Sequence, residues 1–265
     1  MLDKIIKSCQ YVANNSKSVK INDTNLDKFI GKIKKVETIE HWLAFSPYNL
    51  LDLPTETIIN FLLVYEAIDF SFWGNPKWTI NTENGKEDGS IALLYAILKY
   101  IKERNTTDFS NITKEEFKEI LKGNIKIPLF EERYNIIRNV SKIVNEKMSG
   151  NFYIFIIREQ KEKIKVDYSH LVGCSDYKIP QVMRGLGILE YSNKLSNIID
   201  NKKEIEVNSE YEVEIRANML VAIDLIKEKL ENKVCAINVN DYIWSQGRNK
   251  TIELNPYHLT RNTNY

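Results

Sequence analysis

Apolar positions recur at three- and four-residue spacing along most of the chain, which is the period of helices packed by one face. Pro54-Thr55-Glu56 opens such a run to Phe70, with proline near the start, where its missing N–H costs nothing. Asp88-Gly89-Ser90 precedes IALLYAILKYIKER, which predicts a buried helix with a basic C-terminal end. Thr113-Lys114-Glu115-Glu116 has the spacing of a capping box, in which the threonine accepts an amide and Glu116 reaches back. Pro128 leads into a helix running to about Met148, Ser209–Glu231 is a long amphipathic stretch, and Asn238–Gly247 is a shorter one stopped by glycine. Two-residue alternation is scarce. Phe152–Val166 reads as a hairpin, with β-branched and aromatic runs flanking a charged turn, and Trp78–Thr82 reads as a short strand. The pattern predicts a mainly α fold: one compact helical domain over residues 1–265, with a small β element near 152–166 and a weak subdomain boundary at Gly150-Asn151.

Composition narrows the function classes. The chain has 265 residues, 43% apolar and 28% charged, enough to bury a core without disulfide or metal staples. With 37 Lys and Arg against 36 Asp and Glu, the net charge of +1 argues against a stable nucleic-acid complex held by bulk charge. Cys9, Cys174 and Cys235 are too scattered for a disulfide scaffold or a CxxC zinc site, so a reducing cytoplasm is expected and no metal. Ile58–Ile68 is the most apolar stretch, but Asn60 and Glu66 interrupt it and it falls short of the ~18 residues a membrane span needs. The N-terminal MLDKIIKSCQ has no apolar core of the kind a secretory leader carries.

No P-loop, GxGxxG, HExxH or GxSxG motif is present, and His41 and His170 stand in no metal-pair spacing. Four clusters carry candidate chemistry. Phe70, Phe72 and Trp73 follow a buried helix, so they are either core or a stacking wall for a flat heterocycle. Asp176 stands shortly before Pro180, as a turn or helix-capping aspartate or as a carboxylate aimed into a cleft. Glu212 and Arg216 are four apart, and an ion pair between them on one helix face is expected. Asn240-Asp241-Tyr242-Ile243-Trp244-Ser245 and the tail Pro256–Arg261 are rich in hydrogen-bonding groups, and the tail is expected to pack back on the domain.

Taken in order, these segments resemble the queuosine salvage protein family. Val12–Ser16 with Val19–Ile21 looks like its opening, and Asp69-Phe70-Ser71-Phe72-Trp73 like its NFxFW segment. Asp88-Gly89-Ser90 with Ala92-Leu93 looks like its glycine-led helix, and Pro128–Arg133 like its proline-leucine-x-x-E-R element. Asp176-Tyr177-Lys178-Ile179-Pro180-Gln181 looks like its aspartate-tyrosine-basic-x-Pro-Gln motif, and Glu212–Ala217 like its EVEIR motif. Pro256-Tyr257-His258, Thr260-Arg261 and Tyr265 look like its closing segment.

The resemblance implies a helical fold similar to that of DNA glycosylases. It implies a cofactor-free, metal-free N-glycosidase that releases queuine from queuosine 5'-phosphate, or from queuosine, for return to tRNA. The small-molecule nucleotide is then the partner. Asp176 and Asp241 are the carboxylates it points to. Ser46, Phe70, Phe72, Trp73, Cys174, Tyr177, Asn240, Ser245 and His258 are the candidate substrate-binding residues. The sequence also departs from the pattern. Ser46 falls where relatives have a histidine, Cys174 where they have phenylalanine, Asn240 where they have aspartate four residues before the tryptophan, and Ser245 where they have an acid just after it. A tyrosine-lysine-arginine-alanine-glutamine stretch before the Asp-Tyr motif is missing. These departures imply an alternative, a relative that binds a 7-deazaguanine nucleoside or base with catalysis altered or lost. An unrelated DNA glycosylase is a third reading, disfavoured by the near-zero net charge.

Overall fold

The structure is a computed structural model, and it describes residues 2–39, 50–83, 85–161, 171–248 and 252–264. In chain order the elements are α1 (Leu2–Asn15), β1 (Val19–Ile21), α2 (Asp23–Ile33), a 3-10 turn (Leu50–Asp52), α3 (Thr55–Glu66), β2 (Thr79–Thr82) and β3 (Gly85–Asp88). They continue with α4 (Gly89–Arg104), α5 (Lys114–Ile120), α6 (Phe130–Lys147), α7 (Phe152–Lys161), α8 (Lys178–Gly185), β4 (Leu189–Tyr191), α9 (Asn193–Asp200), α10 (Glu210–Lys229) and α11 (Ala236–Arg248). The fold is mainly α with small β elements, as the periodicity predicts. No helix among the described residues is long and apolar enough to cross a membrane.

The backbone groups into two compact units, one of residues 1–42, 167–261 and 265, the other of residues 43–166 and 262–264. In the first, α1 packs along α10, α8 packs against both α10 and α11, and β1 pairs antiparallel with β4, Lys20 opposite Glu190. Its core runs from Leu26 and Phe29 on α2 through Ile179 and Met183 on α8 to Ile215, Met219 and Ile223 on α10 and Ile243 on α11. α10 is buried around most of its circumference, so its polar side chains must find partners inside. Glu214, 3% exposed, accepts the backbone amides of Lys17 (2.9 Å), Ser18 (2.7 Å) and Val19 (3.1 Å). One carboxylate thereby closes the turn between α1 and β1.

In the second unit, α3 packs against α4 and α7, and β2 and β3 form a hairpin, Ile80 opposite Glu87. The capping box at Thr113 forms as its spacing predicts, with the hydroxyl accepting from Glu116 N (3.1 Å) and the Glu116 carboxylate accepting from Thr113 N (2.9 Å). Arg133 on α6 is fully buried. Its guanidinium donates to the carbonyls of Ile68 (3.2 Å), Phe70 and Pro128, and lies 4.4 Å from the Phe70 ring centre and 4.9 Å from that of Phe72.

The expected β element near 152–166 is corrected. Phe152–Lys161 is helical, and residues 162–166 lie outside the described residues. The β-branched and aromatic run is overruled by its start: Asn60 Oδ1 accepts from Phe152 N (2.9 Å) and Tyr153 N (3.2 Å), and Asn151 Oδ1 accepts from Ile154 N (3.0 Å). These side chains satisfy the first amides of a helix, which then packs against α3. The strands are 19–21 paired with 189–191, and 79–82, within the strand expected at 78–82, paired with 85–88.

The two buried charges make testable demands on stability. Glu214→Ala leaves three amides without their acceptor and is expected to lower unfolding free energy by about 3 kcal/mol. Arg133→Met strands three carbonyls and is expected to cost ~3–5 kcal/mol. Chemical denaturation measures both, and a loss under ~1 kcal/mol for either would contradict that residue's role as a fastener.

Candidate functional site

Cys174, Asp176 and Tyr177 lie in the turn at 173–177 that enters α8, and Asn240 bonds to it, while Asp241 and Ser245 lie on α11 of the same unit. Asp176 sits just before the helix, and its Oδ1 accepts from Lys178 N (2.9 Å) and Ile179 N (2.7 Å). That is the capping role its position before Pro180 allows. Pro180 lies in the first helical turn, where no N–H is needed. Both amides fall on one carboxylate oxygen. The side chain is half-buried, and burial pushes its carboxyl up to about 6, against the pull of the two amides and the Lys178 charge.

The rest of the motif ties the turn to the chain end. Gln181 Nε2 donates to Asn255 O (2.6 Å), and Lys178 Nζ lies 3.2 Å from Gln181 Oε1 and 4.9 Å from the Tyr257 ring centre. Tyr177 and Tyr257 meet at 4.8 Å between ring centres. His258 is 2% exposed, and burial followed by the Arg216 charge lowers its pKa to about 4, so it is neutral at pH 7. The tail thus packs back, as expected.

α10 and α11 grip the turn. Arg216 Nε donates to Ser175 Oγ (3.0 Å), and Arg216 Nη1 donates to Glu212 Oε1 (3.2 Å), whose side chain is wholly buried. The ion pair expected from the four-residue spacing therefore forms. Its contact with Ser175, 41 positions away in sequence, has no local signal. On α11, Asn240 Oδ1 accepts from Cys174 N (3.0 Å), which brings two candidate residues into direct contact, while Cys174 itself is exposed. Asp241 and Ser245 are buried one turn apart, and Ser245 Oγ donates to Tyr242 O (2.8 Å).

Phe70, Phe72 and Trp73 belong to the second unit, where all three are buried. Phe70 and Phe72 face Arg133, and Phe72 stacks on Trp78 at 6.3 Å. Between them Ser71 takes a left-handed φ of 45° and donates through Oγ to Asn262 O (2.7 Å). Ser46, His41 and His170 lie outside the described residues. A cavity of about 500 Å³ in the first unit opens beside Asn25, Lys28, Phe29 and Lys32 of α2, and none of the candidate residues lines it.

The Asp176 environment makes a signed prediction. Its folded pKa of about 6 lies above the ordinary carboxylate value, so its contribution to stability is full below pH ~4 and is lost as pH rises through ~6. Asp176→Asn keeps an oxygen for the two amides and removes the charge. Its stability relative to wild type is expected to rise by about 2–3 kcal/mol between pH 4 and pH 8. His258 titrates with the opposite sign, losing stability as pH falls from ~6.5 towards 4, and it cancels in this comparison. Urea unfolding at the two pH values measures the difference, and a pH-independent gap contradicts the assignment.

Comparison with known proteins is consistent with these motifs. The family model described as queuosine salvage protein matches residues 51–166 and 163–265. A queuosine 5'-phosphate N-glycosylase/hydrolase of Sphaerobacter thermophilus is 24% identical, with 79% of this chain aligned to 82% of that protein. Proteins of the same description from Bos taurus and Dictyostelium discoideum are each 22% identical, over 96% of both chains and 98% of both chains respectively. With both stretches matched and the relatives aligned nearly end to end, the chain belongs to the queuosine salvage protein family.

Proposed function

We propose that this protein is an N-glycosidase that hydrolyses the base–ribose bond of queuosine 5'-phosphate, or of queuosine, and releases queuine. The observation that carries the reading is the Asp176 carboxyl. One oxygen is fixed by two amides, the group is half-buried, and a pKa of about 6 gives it both protonation states near neutrality.

The chemistry asks for such a group. A 7-deazaguanine lacks the ring nitrogen through which purines are usually protonated, so the departing base needs hydrogen bonds at its other edges. As the bond breaks, the electron pair leaves with the base, positive charge develops on the sugar, water attacks the anomeric carbon, and the proton the water loses ends on the base. A carboxylate near that carbon stabilises the oxocarbenium-like transition state. Asp176 is assigned to the base and Asp241 to the sugar. Asp241 and Ser245 are four apart on α11 and so share a helix face, which gives that face a carboxylate although position 245 is a serine.

A second reading, binding of a 7-deazaguanine nucleotide without turnover, is favoured by one feature. The Ser245 hydroxyl is turned back onto its own helix, donating to Tyr242 O. Incubation with queuosine 5'-phosphate and with queuosine, followed by mass detection of free base, separates the two. Release of queuine, cut at least ~100-fold by Asp176→Asn and by Asp241→Asn, is the expected result. Thermal stabilisation by the nucleotide without release would move the conclusion to the second reading, and neither effect would overturn both.

A further inference from the structure

We propose that Arg216 and Asn240 are positioning residues that together fix the turn carrying Asp176. The turn is short, its Cys174 is exposed, and loops of this kind are mobile unless tied down. This one is tied at consecutive residues from two different helices. Asn240 on α11 takes the Cys174 amide (3.0 Å), and Arg216 on α10 takes the Ser175 hydroxyl oxygen (3.0 Å).

Both anchors are themselves held. Glu212 receives Arg216 on one oxygen (3.2 Å) and the Asn208 amide on the other (2.9 Å), so a guanidinium that swings away gives up an ion pair with a wholly buried carboxylate. Asn240 is buried. The turn also lies directly on α10, since a Cβ at Gly173 would come within 2.3 Å of Ile223 Cδ1. The two anchors bond to the neighbours of Asp176, Arg216 to Ser175 and Asn240 to Cys174, and hold the carboxyl through the backbone between them. In this chain the side-chain oxygen of Asn240, which the resemblance offers as a substrate contact, accepts the Cys174 amide.

The inference deepens the proposed function and rests on Asp176 being its working carboxylate. Its test needs no substrate, so absence of glycosidase activity and failure of the positioning role are told apart. The readout is the Asp176 carboxyl titration by carbon-13 NMR in the full-length protein. Burial raises that midpoint, so a loosened turn that admits water brings it down. Ser175→Ala and Asn240→Ala are each expected to lower the midpoint by about one pH unit, and Ser175→Thr, which keeps the hydroxyl, is expected to restore it. An unchanged midpoint in either alanine variant overturns the assignment. A measurement on the wild type covers variants that fail to fold: the Cys174 amide should exchange with solvent as slowly as the amides of α8, and exchange at the unstructured rate would equally overturn it.

Discussion

The first unit depends on the way α10 disposes of its buried charge. A helix surrounded by protein on most sides offers little water to Glu212 or Glu214, while Arg216 is part-exposed. Glu212 and Glu214 are two positions apart, so they point to opposite sides of the helix. Each is satisfied by something distant in sequence. Glu214 gathers the amides at 17–19, and Glu212 passes through Arg216 to Ser175. The EVEIR segment is therefore a two-sided fastener, closing the α1–β1 turn on one side and the Asp176 turn on the other. A purely apolar α10 would bury as well and would leave both turns unspecified.

Arg133 plays the comparable part in the second unit. Its guanidinium collects three carbonyls from the segments around Phe70 and Pro128 and lies against two phenylalanine rings. Two stretches that look like separate motifs in sequence are thus one hydrogen-bonded cluster. The aromatic residues there have an evident packing role, covering the plane of a buried guanidinium whose N–H groups find carbonyl acceptors.

What is legible in the sequence is local. The capping box at Thr113, the helix starts after Pro54 and Pro128, the strand ending at Thr82 and the Glu212–Arg216 pair are all encoded within a few residues. Phe152–Lys161 reads as a strand because its β-branched composition is visible locally, whereas Asn60, about 90 positions away, is not; its carbonyl oxygen takes the first helical amides. β1 and β4 are three residues each, too short for any alternation to register. At the site, the motif order locates the Asp176 turn, α11 and the tail. The grip of Arg216 on Ser175 and of Asn240 on Cys174 joins segments 41 and 66 positions apart, and spacing carries no information at that range.

The departures at positions 240 and 245 then take on different meanings. An amide oxygen at 240 accepts the Cys174 backbone N–H and carries no charge, so asparagine there makes the positioning contact without adding a charge beside the turn. Serine at 245 preserves nothing comparable, since a hydroxyl bonded to its own helix carries no negative charge for a developing cation. The charge available on that face is Asp241, one turn earlier, about 6 Å along the axis by helix geometry. Catalytic groups tolerate only displacements far smaller than this. If Asp241 serves the sugar, the sugar must lie about one helical turn nearer the start of α11 than an acid at 245 would require. The Asp176 turn, held by Arg216 and Asn240, then has to present the base in a register shifted to match.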